Sequence, residues 1–258
     1  MADFDLIENL PFTTQQAIGA RARLGLVVLA SDYTLEHEIA ATLARSDMPE
    51  GLALYVSRIA NSPQITPDTL AAMGPNLTET AERLLPGDNL DVLAYGCTSA
   101  SMVLGPDAVN ERLTAAKPMA KPTNPASAAF AALTALKAKR IAVLTPYTKD
   151  VNAYVADGLT KGGFKIEVFG SFNEPMDPVV SSIDPQSLNG AIDTITKGRD
   201  VDAVFVSCTS VRLMDAVAKL ERETGLPVTS SNHAMIWHML RLAGVNERFD
   251  GLGRLYTV

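Results

Sequence analysis

The sequence predicts an α/β fold made of two similar parallel-sheet halves related by a pseudo-twofold axis. The first observation is a repeat, because residues 87–99 and 198–210 carry Gly, Asp, Cys, Thr and Ser at the same places, at a constant offset of 111 residues. Each copy is an apolar run that follows a Gly-Asx turn and ends in Cys-Thr-Ser, which is typical of a buried parallel strand. The second observation is that strands and helices alternate in the same order in both halves.

The first half reads in chain order as an irregular polar segment followed by alternating strands and helices. We expect residues 1–23 to lie over the surface. The predicted elements after them are a strand at 24–30, a helix through 35–43, a strand at 51–58, a loop at 63–67, a helix at 70–85 interrupted at Gly74-Pro75, and the first Cys strand.

The second half repeats this order after a proline-rich stretch, which places a boundary near residue 120. Its predicted elements are a helix at 126–136, a strand from 140, a helix at 150–160, a strand at 164–170, a loop to 185, a helix at 187–196, the second Cys strand, and a final helix at 234–243. We expect residues 1–122 and 229–258 to form the first half and residues 123–228 to form the second, with the active site in the cleft between them.

Composition narrows the class of protein. A chain of 258 residues that is 47% hydrophobic and 20% charged suits a soluble globular enzyme. The net charge of −7 argues against a nucleic-acid or anionic-membrane partner. No apolar run is long enough to span a bilayer, and two cysteines with three histidines give no metal-site spacing. Nothing reads as a signal peptide, so we expect a cytoplasmic protein.

The two cysteines are the candidate catalytic residues. Cys97 and Cys208 both follow a strand, and ligands of open α/β sheets bind beyond the carboxyl ends of the strands. A helix that starts at such a position would favour the thiolate, which is the nucleophilic form. The structural alternatives are a small core residue and a disulfide. The repeated context argues against the first and a reducing compartment against the second.

Several segments resemble the aspartate/glutamate racemase superfamily, which includes racemases, arylmalonate decarboxylases and maleate cis-trans isomerases. The paired Cys-Thr-Ser loops carry the resemblance to the superfamily. The segments closest to the maleate isomerase branch are residues 29–38, 95–101, 143–151, 205–212 and 228–240. Residues 206–210 and 228–234 resemble most the ectoine-utilisation racemase-like proteins beside that branch.

The resemblance implies that Cys97 and Cys208 face each other across the cleft between the halves and act without a cofactor. In racemases one thiolate removes the α-proton and the opposite thiol returns a proton to the other face. In maleate isomerases the first-loop cysteine adds to the double bond, allows rotation and is then expelled, while the second cysteine assists. Both chemistries need one thiolate and one thiol.

The resemblance also implies a set of residues that bind the substrate. Thr98, Ser99, Thr209 and Ser210, with backbone N–H groups at helix starts, would hold a substrate carboxylate. Tyr147 matches a family position that hydrogen-bonds the substrate.

Two departures from the maleate isomerase pattern bear on the substrate. Asp32 stands where those enzymes carry Asn, and a second carboxylate-binding Asn aligns near Asp177. A carboxylate there would repel a dianion, so Asp32 suits a substrate with a carboxylate at one end and a nitrogen function at the other, such as a diaminobutyrate derivative from ectoine breakdown. Alternatively, Asp32 caps the helix that starts at Thr34. Asn232 is either a helix cap or a cleft residue.

The sequence therefore predicts a cofactor-independent isomerase or racemase that acts on a small carboxylate through two cysteines. Maleate cis-trans isomerisation is the first alternative. A single-thiol decarboxylase and a non-catalytic metabolite-binding protein are the others. We expect a small carboxylate-bearing substrate as the partner and a homodimer or higher homo-oligomer as the assembly.

Overall fold

Two four-stranded parallel sheets form the two halves of the molecule. The structure is a computed structural model that describes residues 5–258, so the first four residues of the predicted surface segment and of the first half lie outside it. The strands are β1 (Ala22–Leu29), β2 (Leu52–Ile59), β3 (Val92–Gly96), β4 (Lys121–Thr123), β5 (Arg140–Thr145), β6 (Lys165–Ser171), β7 (Ala203–Val206) and β8 (Val228–Ser230). The sheet orders are β2-β1-β3-β4 and β6-β5-β7-β8, so corresponding strands occupy corresponding places. The predicted fold is confirmed.

The two Cys strands lie inside their sheets. Every residue of β3 and β7 is buried, and each strand has a parallel neighbour on both sides. Inner strands of parallel sheets are covered on both faces, which explains why their apolar runs show no alternation. The last residue of β3 is Gly96. A glycine fits there because a Cβ at this position would lie 2.5 Å from Cδ2 of Leu35.

Helices follow most of the strands. The α-helices are α1 (Leu35–Leu43), α2 (Pro67–Ala71), α3 (Leu77–Glu82), α4 (Thr98–Leu104), α5 (Pro106–Ala116), α6 (Pro125–Ala135), α7 (Lys149–Lys161), α8 (Asp177–Val180), α9 (Pro185–Thr196), α10 (Val217–Thr224) and α11 (Ser231–Leu242). Their starts have local causes. Asn124 caps α6, for example, by accepting hydrogen bonds from the backbone N of Ala126 and Ser127 at 3.0 and 3.1 Å. The predicted Gly74-Pro75 interruption is a 3-10 helix between α2 and α3.

Two predictions about local structure are wrong. No helix begins after Cys208, because its φ of 128° is incompatible with the extended conformation of an N-cap. The chain instead turns, forms a 3-10 helix at Met214–Ala216 and only then enters α10. The loop predicted before Pro185 contains the short helix α8, which begins at Asp177.

Two helices, α6 and α11, lie at the junction of the halves. The Ala-rich α6 packs against α11. Ala128 and Ala132 of α6 lie in the same buried cluster as Met235 and Met239 of α11, together with Leu26 of β1. The C-terminal helix therefore packs on the first sheet, as expected for a returning segment. The exact boundaries at residues 122 and 228 stay a prediction.

Candidate active site

The two cysteines line one cavity at the junction of the halves. Cys97 follows β3 and Cys208 follows β7, so the carboxyl ends of corresponding strands meet there. The cavity volume is about 20 Å³, room for about one water molecule. Its lining residues are Leu29, Asn61, Ser62, Gln64, Ile65, Thr69, Leu70, Met73, Cys97, Ser99, Tyr147, Asp177, Cys208, Thr209 and Ser210. A substrate larger than water enters only when this cavity opens.

Cys97 has a relaxed backbone and is 3% exposed. It is the N-cap of α4, with an extended φ of −145°. Its Sγ lies 3.7 Å from Oγ of Ser99. Burial raises the pKa of the Cys97 thiol to about 11, although the backbone N–H of Ala100 and the Ser99 hydroxyl act in the opposite direction.

Cys208 has a strained backbone, because a φ of 128° is rare for a side-chain-bearing residue. Its backbone N donates to Oγ of Ser231 at 3.0 Å, and its Sγ accepts from the backbone N of Ser210 at 3.4 Å. Burial and then the charge of Asp177 raise the pKa of the Cys208 thiol to about 12. Both cysteines are therefore thiols at neutral pH, and burial outweighs the predicted helix-dipole effect.

Among residues 5–258, Asp177 is the only acidic residue that lines the cavity. It is 4% exposed, and its oxygens accept hydrogen bonds from Oγ of Ser210 at 2.6 Å and from Oγ of Ser31 at 3.0 Å. Nδ2 of Asn61 donates to the same Ser31 hydroxyl at 2.9 Å. Asp177 thus joins a hydroxyl of the second half to one of the first half.

Tyr147 presents a buried hydroxyl that has no hydrogen-bond partner within residues 5–258. Its backbone oxygen accepts from Nδ2 of Asn152 at 2.8 Å and from Oγ of Ser171 at 2.5 Å, which fixes the loop after β5. The nearby Tyr147 hydroxyl favours the charged form of Cys208 and so lowers the pKa of that thiol, although burial raises this pKa by more. A fixed, unpaired phenol beside a thiol is a donor available to a ligand.

Comparison with known proteins agrees with this geometry. The family model for arylmalonate decarboxylase matches residues 49–256. The chain belongs to that family. It is 31% identical to a maleate isomerase of Pseudomonas putida over 248 residues, covering 91% of this chain and 97% of the relative. The crystal structure of maleate isomerase Iso from Pseudomonas putida S16 is 30% identical, has a TM-score of 0.85, and aligns over 92% of this chain and 98% of that one.

A third relative carries chemical information. It is a Nocardia farcinica maleate cis-trans isomerase, in a cysteine-to-serine variant with a covalently bound succinylcysteine intermediate. It is 28% identical, has a TM-score of 0.82, and aligns over 92% of this chain and 98% of that one. These relatives confirm the predicted superfamily and maleate isomerase branch, as well as the prediction of an isomerase. The link to ectoine breakdown stays a prediction.

Six of the eight site residues predicted for this chain line the cavity, and two do not. Those in the lining are Cys97, Ser99, Tyr147, Cys208, Thr209 and Ser210. Thr98 points elsewhere and donates to Oγ of Ser231 at 2.8 Å. Asp32 caps α1 instead, since its carboxylate accepts from the backbone N of Leu35 at 3.0 Å and of Glu36 at 3.1 Å. The capping role that the sequence left open for Asp32 is the one the structure shows.

Sequence reasoning missed one polar residue of the cavity lining and one that lies beside Cys97 outside the lining, and it left a third residue open. Asn61 was missed because it lies in the loop after β2, where no periodicity marks a functional residue. Tyr95 was also missed, although it lies two residues before Cys97 and so shares its side of the strand; its hydroxyl lowers the pKa of Cys97 against the effect of burial. The sequence indicates Asp177 only through the resemblance to the maleate isomerases.

A buried network outside the cavity holds the Cys208 loop. Asn232 does not line the cavity; its Nδ2 donates to the backbone O of Thr209 at 2.9 Å and to Oε2 of Glu38 at 2.7 Å. Oε1 of Glu38 accepts from the backbone N of Leu213 and Met214 at 3.2 and 3.1 Å. Glu38 of the first half thereby fixes a loop of the second.

Two kinds of feature are absent from residues 5–258. No group of three or more His, Cys, Asp and Glu side chains there has the geometry of a metal site. No helix of that range is long and apolar enough to cross a membrane.

Proposed function

We propose that this protein is a cofactor-independent cis-trans isomerase of a small cis-enoic acid, with Cys97 as the nucleophile and Cys208 as its partner. The observation that carries the proposal is the meeting of two buried cysteines, from corresponding strand ends of the two halves, in one cavity. The relative with a succinylcysteine intermediate supports covalent chemistry at a cysteine. Maleate is the substrate named for the relatives, and it is the first one to test here.

The reaction needs no net proton and no redox partner. Cys97 rests as a thiol, so it first gives its proton to water and recovers it at the end of the cycle. The thiolate forms a C–S bond to one olefinic carbon, and the π electrons move onto the adjacent carboxylate as an enolate. The former double bond is then a single bond and rotates. The enolate electrons re-form the double bond in the trans geometry while the C–S bond breaks and the thiolate leaves. Cys208 supports this sequence by donating a hydrogen bond, or a proton that it later recovers, to the enolate carbon.

A second candidate is racemisation of a small amino-acid derivative, such as a diaminobutyrate from ectoine breakdown. The Asp177 carboxylate favours it, because a buried acid beside two thiols suits a substrate with an ammonium group. A single-thiol decarboxylase is disfavoured by the presence of both cysteines in the cavity lining. A non-catalytic metabolite-binding role leaves the paired thiols without a purpose.

Proton NMR in D₂O separates these functions. Maleate, its half-amide and N-acetyl-diaminobutyrates are incubated with the wild-type protein and with Cys97→Ser. We expect trans alkene to appear from a cis alkene with the wild type and not with the variant. Deuterium at the α-carbon of an amino-acid derivative, without alkene isomerisation, would replace this proposal by the racemase. Ligand binding that survives alkylation of both thiols, with no turnover, would replace it by the binding role.

A further inference from the structure

Among the described residues, the cavity lining contains an acidic side chain but no basic one. Fifteen residues line it, and the set contains the carboxylate of Asp177 but no Lys, Arg or His from any described part of the chain. A substrate with two carboxylates would therefore place at least one of them near a fixed negative charge with no cation to balance it. Buried charges in proteins are normally paired, so this lining fits poorly to a dianion.

The position of Asp177 is fixed from two sides. Each of its oxygens already accepts a hydroxyl hydrogen bond, one from Ser210 and one from Ser31. A carboxylate has about four lone-pair sites, so it retains capacity to accept further N–H donors. A ligand group that meets Asp177 must therefore be a donor.

A buried donor without a partner also lines the cavity. The Tyr147 hydroxyl is buried, lines the same cavity and forms no hydrogen bond within the described residues. A substrate carboxylate would accept from it. The cavity lining thus combines the carboxylate acceptor Asp177 with the unpaired hydroxyl donor Tyr147.

We propose that the substrate carries a carboxylate at one end and an N–H donor group, amide or ammonium, at the other, with Asp177 accepting from the N–H group. This inference rests on the proposed cis-trans isomerase function. It assigns Asp177 as the residue that selects a half-amide or an amino-enoate over the corresponding dicarboxylate.

The test compares three cis alkenes: maleate, its half-amide maleamate, and cis-4-aminobut-2-enoate. Each is incubated with the wild type, Asp177→Asn and Asp32→Asn, and kcat/KM is measured by NMR. For the wild type we expect maleamate or the amino-enoate to exceed maleate by about 10-fold or more, because a site built for an N–H group leaves its buried acceptor unpaired with a carboxylate. Asp177→Asn should raise maleate turnover and reverse the preference. Asp32→Asn, which alters the cap of α1 outside the cavity, should leave the preference as it is.

The same kcat/KM values show whether the N–H group is an amide or an ammonium. A preference for maleamate assigns an amide, and a preference for the amino-enoate assigns an ammonium. A wild type that prefers maleate, together with an Asp177→Asn variant that turns over maleate more slowly, would overturn the inference while leaving the isomerase intact.

Binding of saturated analogues keeps the inference testable if no alkene reacts. Succinamate, 4-aminobutanoate and succinate are titrated calorimetrically into the wild type and Asp177→Asn. Absence of turnover with all three alkenes would count against the proposed function. Tighter binding of succinamate or 4-aminobutanoate than of succinate, lost in Asp177→Asn, would still support the role of Asp177, whereas equal or weaker binding would overturn it.

Discussion

The Cys97 loop and the Cys208 loop share a sequence but not a backbone. Cys97 has an extended conformation and opens directly into α4, whose Ser101 donates both its backbone N–H and its hydroxyl to the Cys97 carbonyl. Cys208 has a φ of 128°, and no helix follows it. The first loop is thus held by its own helix and by one hydrogen bond from Thr98 to Ser231, whereas the second has no helix of its own and is held by segments distant in sequence.

The difference shows where the strain of the site is located. A non-glycine residue in a sparsely populated backbone region costs about 1–3 kcal/mol and persists only where its surroundings over-determine it. Around Cys208 those surroundings are Ser231, Asn232 and Glu38, none of which belongs to the repeat. We infer that the two loops have different catalytic roles, with Cys97 as the nucleophile and Cys208 as the positioned partner.

The largest expected effect tests this division of roles. Cys97→Ser should lower kcat by about 1,000-fold or more, because the nucleophile is lost. Cys208→Ser should lower it by about 100-fold, the usual contribution of a general acid or base. Intact-mass spectrometry after incubation with a cis-enoate should find a covalent adduct in Cys208→Ser and none in Cys97→Ser. Adducts in the reverse pattern would exchange the roles of the two loops.

An intermediate effect tests the hold that Glu38 has on the Cys208 loop. Burial raises the pKa of Glu38 from 4.5 to about 7, against the hydrogen bonds from Asn232 and the backbone N–H groups of Met214 and Leu213. Because the folded-state pKa lies above the unfolded value, the stabilisation from Glu38 is complete below pH 4.5 and is lost as the pH rises through about 7.

Denaturant unfolding at pH 5 and pH 8 measures this loss. Relative to Glu38→Gln, the wild type should lose up to about 3 kcal/mol of unfolding free energy between these two values. Parallel pH profiles for the two proteins would mean that Glu38 does not titrate in this window, and the Cys208 loop would then have no pH-dependent anchor.

The smallest expected effect compares two fully buried serines, one for each loop. Ser231→Ala removes the acceptor for the buried backbone N–H of Cys208, and also for the Thr98 hydroxyl, which should cost about 1–3 kcal/mol of unfolding free energy. Ser101→Ala should cost less than about 1 kcal/mol, because the Cys97 carbonyl keeps its backbone hydrogen bond from residue 101. Urea unfolding of both variants is the measurement, and equal losses would show that the two loops are anchored alike.

Much of the fold could be predicted from the sequence because it depends on local patterns. The strand before Cys97 and the strand before Cys208 are apolar runs of fixed length, and the repeat alone indicated that their ends correspond. The turn after Cys208 could not be predicted, because its conformation is imposed by Ser231 and Glu38, which lie 23 and 170 residues away in the chain.

The candidate site was predicted where it follows strand ends and missed where it comes from loops. Asn61 lies in the loop after β2 and Asp177 at the start of the short helix α8, and these two segments meet only in the folded molecule. Asp32 follows a strand and precedes a helix, so the sequence allows both a substrate-binding role and a helix-capping role. Only its hydrogen bonds to the start of α1 identify it as a cap.

The antiparallel bridge between Gln64 and Met176 links the two halves beside the cavity. It consists of two backbone hydrogen bonds, from Ile65 N to Pro175 O at 2.8 Å and from Asp177 N to Pro63 O at 2.9 Å. The second of these is made by Asp177 itself. A molecule larger than water can enter only after the cavity has opened, and parting this bridge separates Asp177 from the segment around Gln64. The polar wall that carries Asp177 on one side and Gln64 on the other is therefore complete only while this bridge is formed.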